Sequence, residues 1–357
     1  MANNFFYQEI GRNENSCNSP RQRIEYIDAL RGFTMLLVVM THCSGFCLQS
    51  MDGSFNSFMV QFRMPLFFFI SGFVFYKKTI WNRFSMAAFL KKKCSVQILT
   101  PSLFLVIYTY IYQYPIKEMF FDYYKLGYWF TYTLFIYFVF YICIKSFCTW
   151  IKLKEYISGC ILAAVGGYLY FVEPIFGLPV NREIANLLLM SQWAYFIFFV
   201  AGTFARKYFD SFQIFLDNQY YMLIIVSLYF LLNIFHEYFC GINCVIVDCI
   251  LRFCGLFIVF AFFRKYSSVF TKEKYLGRCL QYVGRRTLDI YLLHYFFLPW
   301  ALSDSFTFFE KNKIPSIEIL VSLFLSSIVI SICLIISNIY RLSPWVEQKM
   351  FGGRNKI

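Results

Sequence analysis

Charge is scarce in this sequence. Only 15% of its 357 residues are charged, while 59% are hydrophobic and 23% aromatic. That balance excludes one or two water-soluble domains, because 47 Phe and 28 Tyr exceed what a soluble core of this length holds. Metal-ligand spacing is lacking too. The close cysteine pairs, Cys43 with Cys47 and Cys240 with Cys244, have no neighbouring His or Cys to complete a tetrahedral set. Most of the 13 Cys, such as Cys143, Cys249, Cys254 and Cys333, sit in apolar runs where a thiol packs as a small hydrophobe, so no disulfide framework is expected. Residues 1–23 contain no apolar core and no small-residue cleavage site, and read as a polar cytoplasmic tail. Internal repeats and low-complexity tracts are likewise missing, and only three histidines occur, His42, His236 and His294.

What is present is a series of apolar blocks, each long enough to cross a hydrocarbon layer about 30 Å thick. They predict ten membrane helices near 28–48, 60–76, 98–114, 128–147, 157–172, 190–208, 219–236, 243–263, 286–302 and 317–340. The fold expected is thus an all-α bundle with both termini on the cytoplasmic side. It consists of a tail over 1–23, a membrane domain over 24–345 and a terminal tail over 346–357. The net charge of +13 would suggest nucleic acid in a soluble protein, but here it reports topology, and no nucleic-acid partner is expected. With the N-terminus inside, 26 of the 33 basic residues fall on inner segments and six on outer ones, while Arg252 lies within a span. The outer loops are short, so any chemistry belongs within or just above the bundle.

His42 follows Arg31 by eleven residues in YIDALRGFTMLLVVMTHC. Eleven residues make about three whole turns, which puts both side chains on one helix face roughly 16 Å apart. Ionisable groups at membrane depth face the bundle interior or a wet cavity. A neutral imidazole there suits proton abstraction from a hydroxyl, and Arg31 suits an anion such as phosphate. Spacing alone leaves open a packing role for His42 and a topology role for Arg31. Asp28, one turn before Arg31, is either its ion-pair partner or a helix-start carboxylate. Arg63 stands just before Pro65, which suits the first turn of a helix. Its guanidinium could orient an acceptor or steady an oxyanion near His42, the alternative being an interfacial anchor.

Several segments in order resemble one family. YIDALRGFTMLLVVMTHC, FRMPLFFFISGFVF at 62–75, WFTYTLF at 129–135, YVGRRTLDIYLLH at 282–294 and MFGGR at 350–354 look like the successive signatures of membrane acyltransferase family 3. These are the integral-membrane O-acetyltransferases of polysaccharides, and the likeness is to their fucose 4-O-acetylase-like branch. The resemblance implies a ten-helix core, acetyl-CoA as the donor presented from the cytoplasm, and a glycan or lipid-linked saccharide as the acceptor near the outer face. It also implies that His42 is the essential residue, with Arg63 beside it. No bound cofactor is implied, since acetyl-CoA is a co-substrate, and the site would lie in a bacterial inner membrane among its lipids.

The remaining candidates are less sharply defined. Lys92, centre of the run Lys91–Lys93, could attract the phosphates of CoA or equally serve topology and anionic lipid. Relatives commonly carry an Arg near Pro101 where this chain has Gln97. Arg285, with Arg286, could meet the same phosphates or only fix orientation. Trp129 could floor a sugar ring or belong to the interfacial aromatic belt. The resemblance places a His at His294, in a catalytic or a packing role, and His236 beside Glu237 reads as solvated. Ser71 and Gly72 read as a close helix contact. Asp248 and Arg252 read as an ion pair inside a span, either lining the active cavity or, the reading the spacing favours, locking helices. Two rival functions remain at this point: a transporter or flippase for a glycan precursor, and transfer of another acyl group such as succinyl.

Overall fold

The computed structural model describes residues 24–48, 54–76, 83–176, 180–235, 238, 242–299 and 314–351, and every regular element among them is a helix. The tail over 1–23 and the pair His236–Glu237 lie outside the described residues. In chain order the helices are α1 (Glu25–His42), α2 (Ser54–Phe75), α3 (Arg83–Cys94), α4 (Thr100–Ile111), α5 (Ile116–Phe121), α6 (Trp129–Trp150), α7 (Glu155–Phe176) and α8 (Arg182–Leu187). There follow α9 (Phe196–Lys207), α10 (Phe209–Asp217), α11 (Gln219–Phe235), α12 (Ile242–Lys265), α13 (Tyr275–Arg285), α14 (Thr287–Leu293), α15 (Pro315–Tyr340) and α16 (Pro344–Lys349).

Six of these stretches, 25–47, 56–75, 85–111, 129–150, 244–265 and 315–340, are long and apolar enough to cross a membrane. The α10–α11 pair, bent by 72°, adds a seventh if it forms one span. The chain is therefore an all-α, multi-pass integral membrane protein. Two of the expected spans are interrupted. The block at 190–208 begins as a 3-10 segment, Met190–Tyr195, after a left-handed Leu189 (φ 52°), and only then becomes α9. The block at 286–302 breaks at Arg286 and again at a 3-10 turn over His294–Phe296. Irregular backbone at membrane depth is tolerated where it is buried in protein or lines a cavity, and both breaks do so here. Pro65 departs from expectation as well. It lies inside α2 rather than in a first turn, because that helix starts eleven residues earlier at Ser54.

α1 is the central helix. Of its best apolar window 72% is buried inside the protein, against 28% for α15 at the periphery. Its position is set by a backbone-to-backbone crossing with α13. A Cβ built on Gly32 would come within 1.9 Å of the Leu280 carbonyl oxygen, and one on Gly284 within 1.9 Å of the Asp28 carbonyl oxygen. Only glycine on both sides permits that approach, the small-residue contact expected where helices pack without a hydrophobic driving force. Because Arg31 and Arg285 each adjoin a glycine of this crossing, the same contact brings their side chains to one end of the bundle. Gly72 and Gly202 join α2 to α9 in the same way, as expected for Ser71–Gly72.

Two π-helical turns follow in the walls of the space these helices enclose, Cys43–Cys47 directly after His42 and Ser95–Leu99 after the lysine run. Such turns inside helices often mark functional positions.

Candidate active site

A single cavity of about 1420 Å³ runs through the bundle, larger than the few hundred to about 1,000 Å³ of an ordinary small-molecule site. Arg31 and His42 both line it, so the helical spacing read from the sequence does put the two side chains on one path. Arg63, Trp129 and Arg285 line it as well. Six of its lining residues are cationic and only Asp122 and Asp289 are acidic, so the interior favours anions.

At the end that holds the first and last described residues, the cavity mouth is built from α1, α14 and α15. Arg31 Nη2 donates to Thr287 Oγ1 at 3.2 Å, and its Nη1 lies 3.8 Å from Asp28. Asp28 is buried and acts as the partner of that cation. Arg341 forks onto Asp289 through Nε and Nη2, both at 2.7 Å, and Ser337 donates to the same carboxylate. Asp289 is fully buried, so this bidentate pair holds Arg341 in one orientation at the mouth. Phe351 closes the rim. Its ring stacks on Tyr340 at 4.9 Å and lies 4.7 Å from the Arg341 guanidinium, while Thr100 donates to the Met350 carbonyl at 2.9 Å. Residues 346–351 of the expected terminal tail thus pack onto the bundle.

The lysine run resolves differently from expectation. Lys92 is exposed, and Lys93 lines the cavity with its ammonium 5.0 Å from the Phe138 ring. On a helix, successive residues step by about 100°, so only one of three consecutive lysines can face inward. Gln97 is buried in the same wall, and its Oε1 has no hydrogen-bond partner among the described residues.

Deeper in, His42 sits in a nest of rings. Its Nε2 is 3.2 Å from the hydroxyl of Tyr295, and its ring stacks on Phe46 at 5.6 Å. His294 lies 5.3 Å away, centroid to centroid, fully buried, with Nδ1 at 3.0 Å from the Ile290 carbonyl oxygen, so Nδ1 carries the proton. Its Nε2 then has no partner. His294 does not line the cavity but backs His42 from the next layer.

Tyr295 was not anticipated. One residue beyond His294 in a chain with 28 tyrosines, it carries no distinguishing signal in the sequence. What admits it is Gly127, at φ +97°, where a Cβ would come within 2.3 Å of the Tyr295 ring. The surrounding segments are stitched together by tyrosines. Tyr128 donates to the Leu292 carbonyl at 2.8 Å, and Tyr291 donates to the Gly127 carbonyl at 2.9 Å while accepting from the Phe130 N–H at 3.1 Å. The start of α6 is thereby locked to α14, and Tyr295 to His42.

Arg63 Nε and Nη1 are buried and make no hydrogen bond among the described residues. Trp129 stacks on Tyr195 at 6.1 Å, with Tyr124 at 6.3 Å on another side, so the wall here is aromatic. Of the two roles open for Arg252, locking helices or lining the cavity, it takes a place in the cavity wall, with its guanidinium over Tyr170 and Tyr195 at 5.8 and 5.6 Å. At the far rim, Ser44 bonds to the buried Glu318 and receives a 3.0 Å hydrogen bond from Asn56, which tethers the turn after His42 to α15.

The arrangement offers a cationic mouth for an anionic group, an imidazole lining the same cavity, and an aromatic wall beside it. Neither a curated protein nor a solved structure matches the chain. A family model described as an acyltransferase domain matches residues 24–336, most of the sequence and all of the residues from Asp28 to His294 discussed above. The chain therefore belongs to membrane acyltransferase family 3 and is an acyltransferase, with an acyl donor and an acceptor as its substrates.

Proposed function

We propose that this protein is an O-acyltransferase that moves an acetyl group from cytoplasmic acetyl-CoA to a hydroxyl of a cell-surface or lipid-linked glycan, in a bacterial inner membrane with ten spans and both termini inside. The observation that carries this reading is the continuity of one cavity from the Arg31 mouth to the His42–Tyr295 pair. A volume above that of an ordinary single-ligand site suits two substrates meeting end to end.

In this reading Arg31, Arg285 and Lys93 receive the donor's phosphates, which a guanidinium suits geometrically, while Arg341, held by Asp289, adds to the cationic rim. The pantetheine arm then reaches inward so that the thioester lies near His42. His42 accepts the proton of the glycan hydroxyl, on the ring nitrogen that Tyr295 does not engage, as that oxygen attacks the thioester carbonyl. Collapse of the tetrahedral intermediate forms the ester and breaks the carbon–sulfur bond, and the proton held on His42 passes to the departing thiolate. The unpartnered Nε–H and Nη1–H of Arg63 are free to hold the oxyanion formed between these steps. Tyr295 fixes the imidazole, and Trp129 faces the sugar ring.

The test uses purified protein in lipid nanodiscs with acetyl-CoA labelled in the acetyl group and candidate glycan acceptors. Alkali-labile label on the glycan is the expected result. Label appearing only as free acetate, or transferred more readily from succinyl-CoA, would overturn the acetyl-to-glycan reading.

A further inference from the structure

The middle of the cavity holds two cations whose charge nothing described so far neutralises. Arg63 and Arg252 lie at one level of the bundle, because α12 and α2 touch one residue and one turn away from them. A Cβ on Gly255 would stand 3.0 Å from Cβ of Phe62. Tyr195 is close enough to interact electrostatically with both guanidiniums. Among the described residues neither has a carboxylate within ion-pair distance. Asp248, one turn from Arg252 on the same helix, is within electrostatic reach only. Of the two acids that line the cavity, Asp289 is held by Arg341, and Asp122 accepts the Tyr124 and Leu126 N–H groups at 2.8 and 3.0 Å.

A cation at membrane depth is costly to desolvate unless an anion joins it. Arg252 is also arranged to take one. Its guanidinium carbon lies over the Tyr170 and Tyr195 rings at 5.8 and 5.6 Å while the side chain lines the cavity, and a guanidinium is the group that forks a carboxylate or phosphate. The donor's phosphates have their own cations at the mouth, on the order of 16 Å along α1 from His42. The anion that meets Arg252 therefore comes from the other substrate.

We infer that the acceptor is an anionic glycan, whose carboxylate or phosphate is held by Arg252 beside the Tyr195–Trp129 wall while a nearby hydroxyl lies at His42. This rests on the acyl-transfer reading above and adds the substrate class. Arg252 becomes a specificity residue for the acceptor, separate from Arg63 at the oxyanion.

The experiment compares three matched oligosaccharide acceptors, one neutral, one with a uronic acid and one with a phosphate monoester at the same sugar. Each is assayed with wild-type, R252Q and R252K protein in nanodiscs. Wild-type protein is expected to show a KM lower by about 10-fold or more for at least one anionic acceptor than for the neutral one, the size of a charge-assisted hydrogen-bonded contact. R252Q is expected to abolish that preference and R252K, which keeps charge but not the fork, to retain part of it. Which anionic acceptor is preferred separates a carboxylate sugar from a phosphorylated one. Equal KM values across the wild-type panel would overturn the inference even if R252Q failed to fold, and so would a preference that persists in R252Q. Absence of transfer to every acceptor would instead refute the acetyl-to-glycan reading beneath it.

Discussion

Replacing Gly127 by alanine tests whether the Tyr295–His42 contact is a working part of the site. The new Cβ would lie 2.3 Å from Cε2 and Cζ of Tyr295 and 2.5 Å from its hydroxyl oxygen. Carbon atoms pack at about 3.5 Å or more, so the ring has to retreat by roughly 1.2 Å. The hydroxyl, now 3.2 Å from His42 Nε2, would leave hydrogen-bond range or drag the imidazole with it. The backbone adds a further cost of about 1–3 kcal/mol, because alanine at a φ of +97° is strained. A displacement of that size at a reacting group costs on the order of 100-fold in rate. The companion variant Y295F removes only one neutral hydrogen bond, about 0.5–1.5 kcal/mol, so its loss is about 3- to 10-fold. The assay is kcat for acetyl transfer, with folded protein quantified by size exclusion and thermal unfolding. G127A should be the slower of the two at equal folded concentration. Full activity in G127A, or a loss accounted for entirely by unfolded protein, would refute the reasoning.

Three further outcomes follow from the geometry. D289A leaves Arg341 without its bidentate partner and should destabilise the protein by on the order of 3–5 kcal/mol in detergent unfolding, whereas D289A/R341M should recover part of that loss. K93Q should raise the KM for the acyl donor severalfold while K92Q leaves it unchanged, since only Lys93 lines the cavity; equal effects would place the donor elsewhere. Lys125, in the loop before α6, is buried with its ammonium donating to the Phe120 and Asn186 carbonyls, and burial pushes its pKa down to about 8. Between about pH 8 and the usual lysine value near 10.4 the unfolded chain holds a proton that the folded one lacks. Thermal stability should therefore rise with pH across that window and lose this slope in K125M.

Much of the fold was legible because membrane crossing imposes length and composition on a helix, and six of the long apolar blocks fold as such. The interrupted blocks were not. Their breaks at Leu189 and Arg286 depend on tertiary packing around the cavity, and hydropathy does not register a one-residue change of dihedral angle. Within the site, helical phase put Arg31 and His42 on one face, as both line the cavity, but phase alone left their roles open. Arg341 read as a topology signal because its partner Asp289 is 52 residues away. Arg252 read as half of an i,i+4 pair, since sequence spacing cannot say that a side chain turns toward tyrosines on other segments. The choice of Lys93 over Lys92 likewise depends on the rotation of α3, which three equivalent lysines conceal. Tyr295 needed a glycine in a different segment, at residue 127, to reach its place.

The account depends most on His42 as the proton acceptor between the two substrates. The direct measurement is transfer of labelled acetyl from acetyl-CoA to glycan by H42Q protein, beside equilibrium binding of acetyl-CoA to the same preparation. Transfer reduced by on the order of 100-fold or more, with donor binding within a few-fold of wild type, is the predicted result. Glycan acetylation by H42Q at close to the wild-type rate would contradict it.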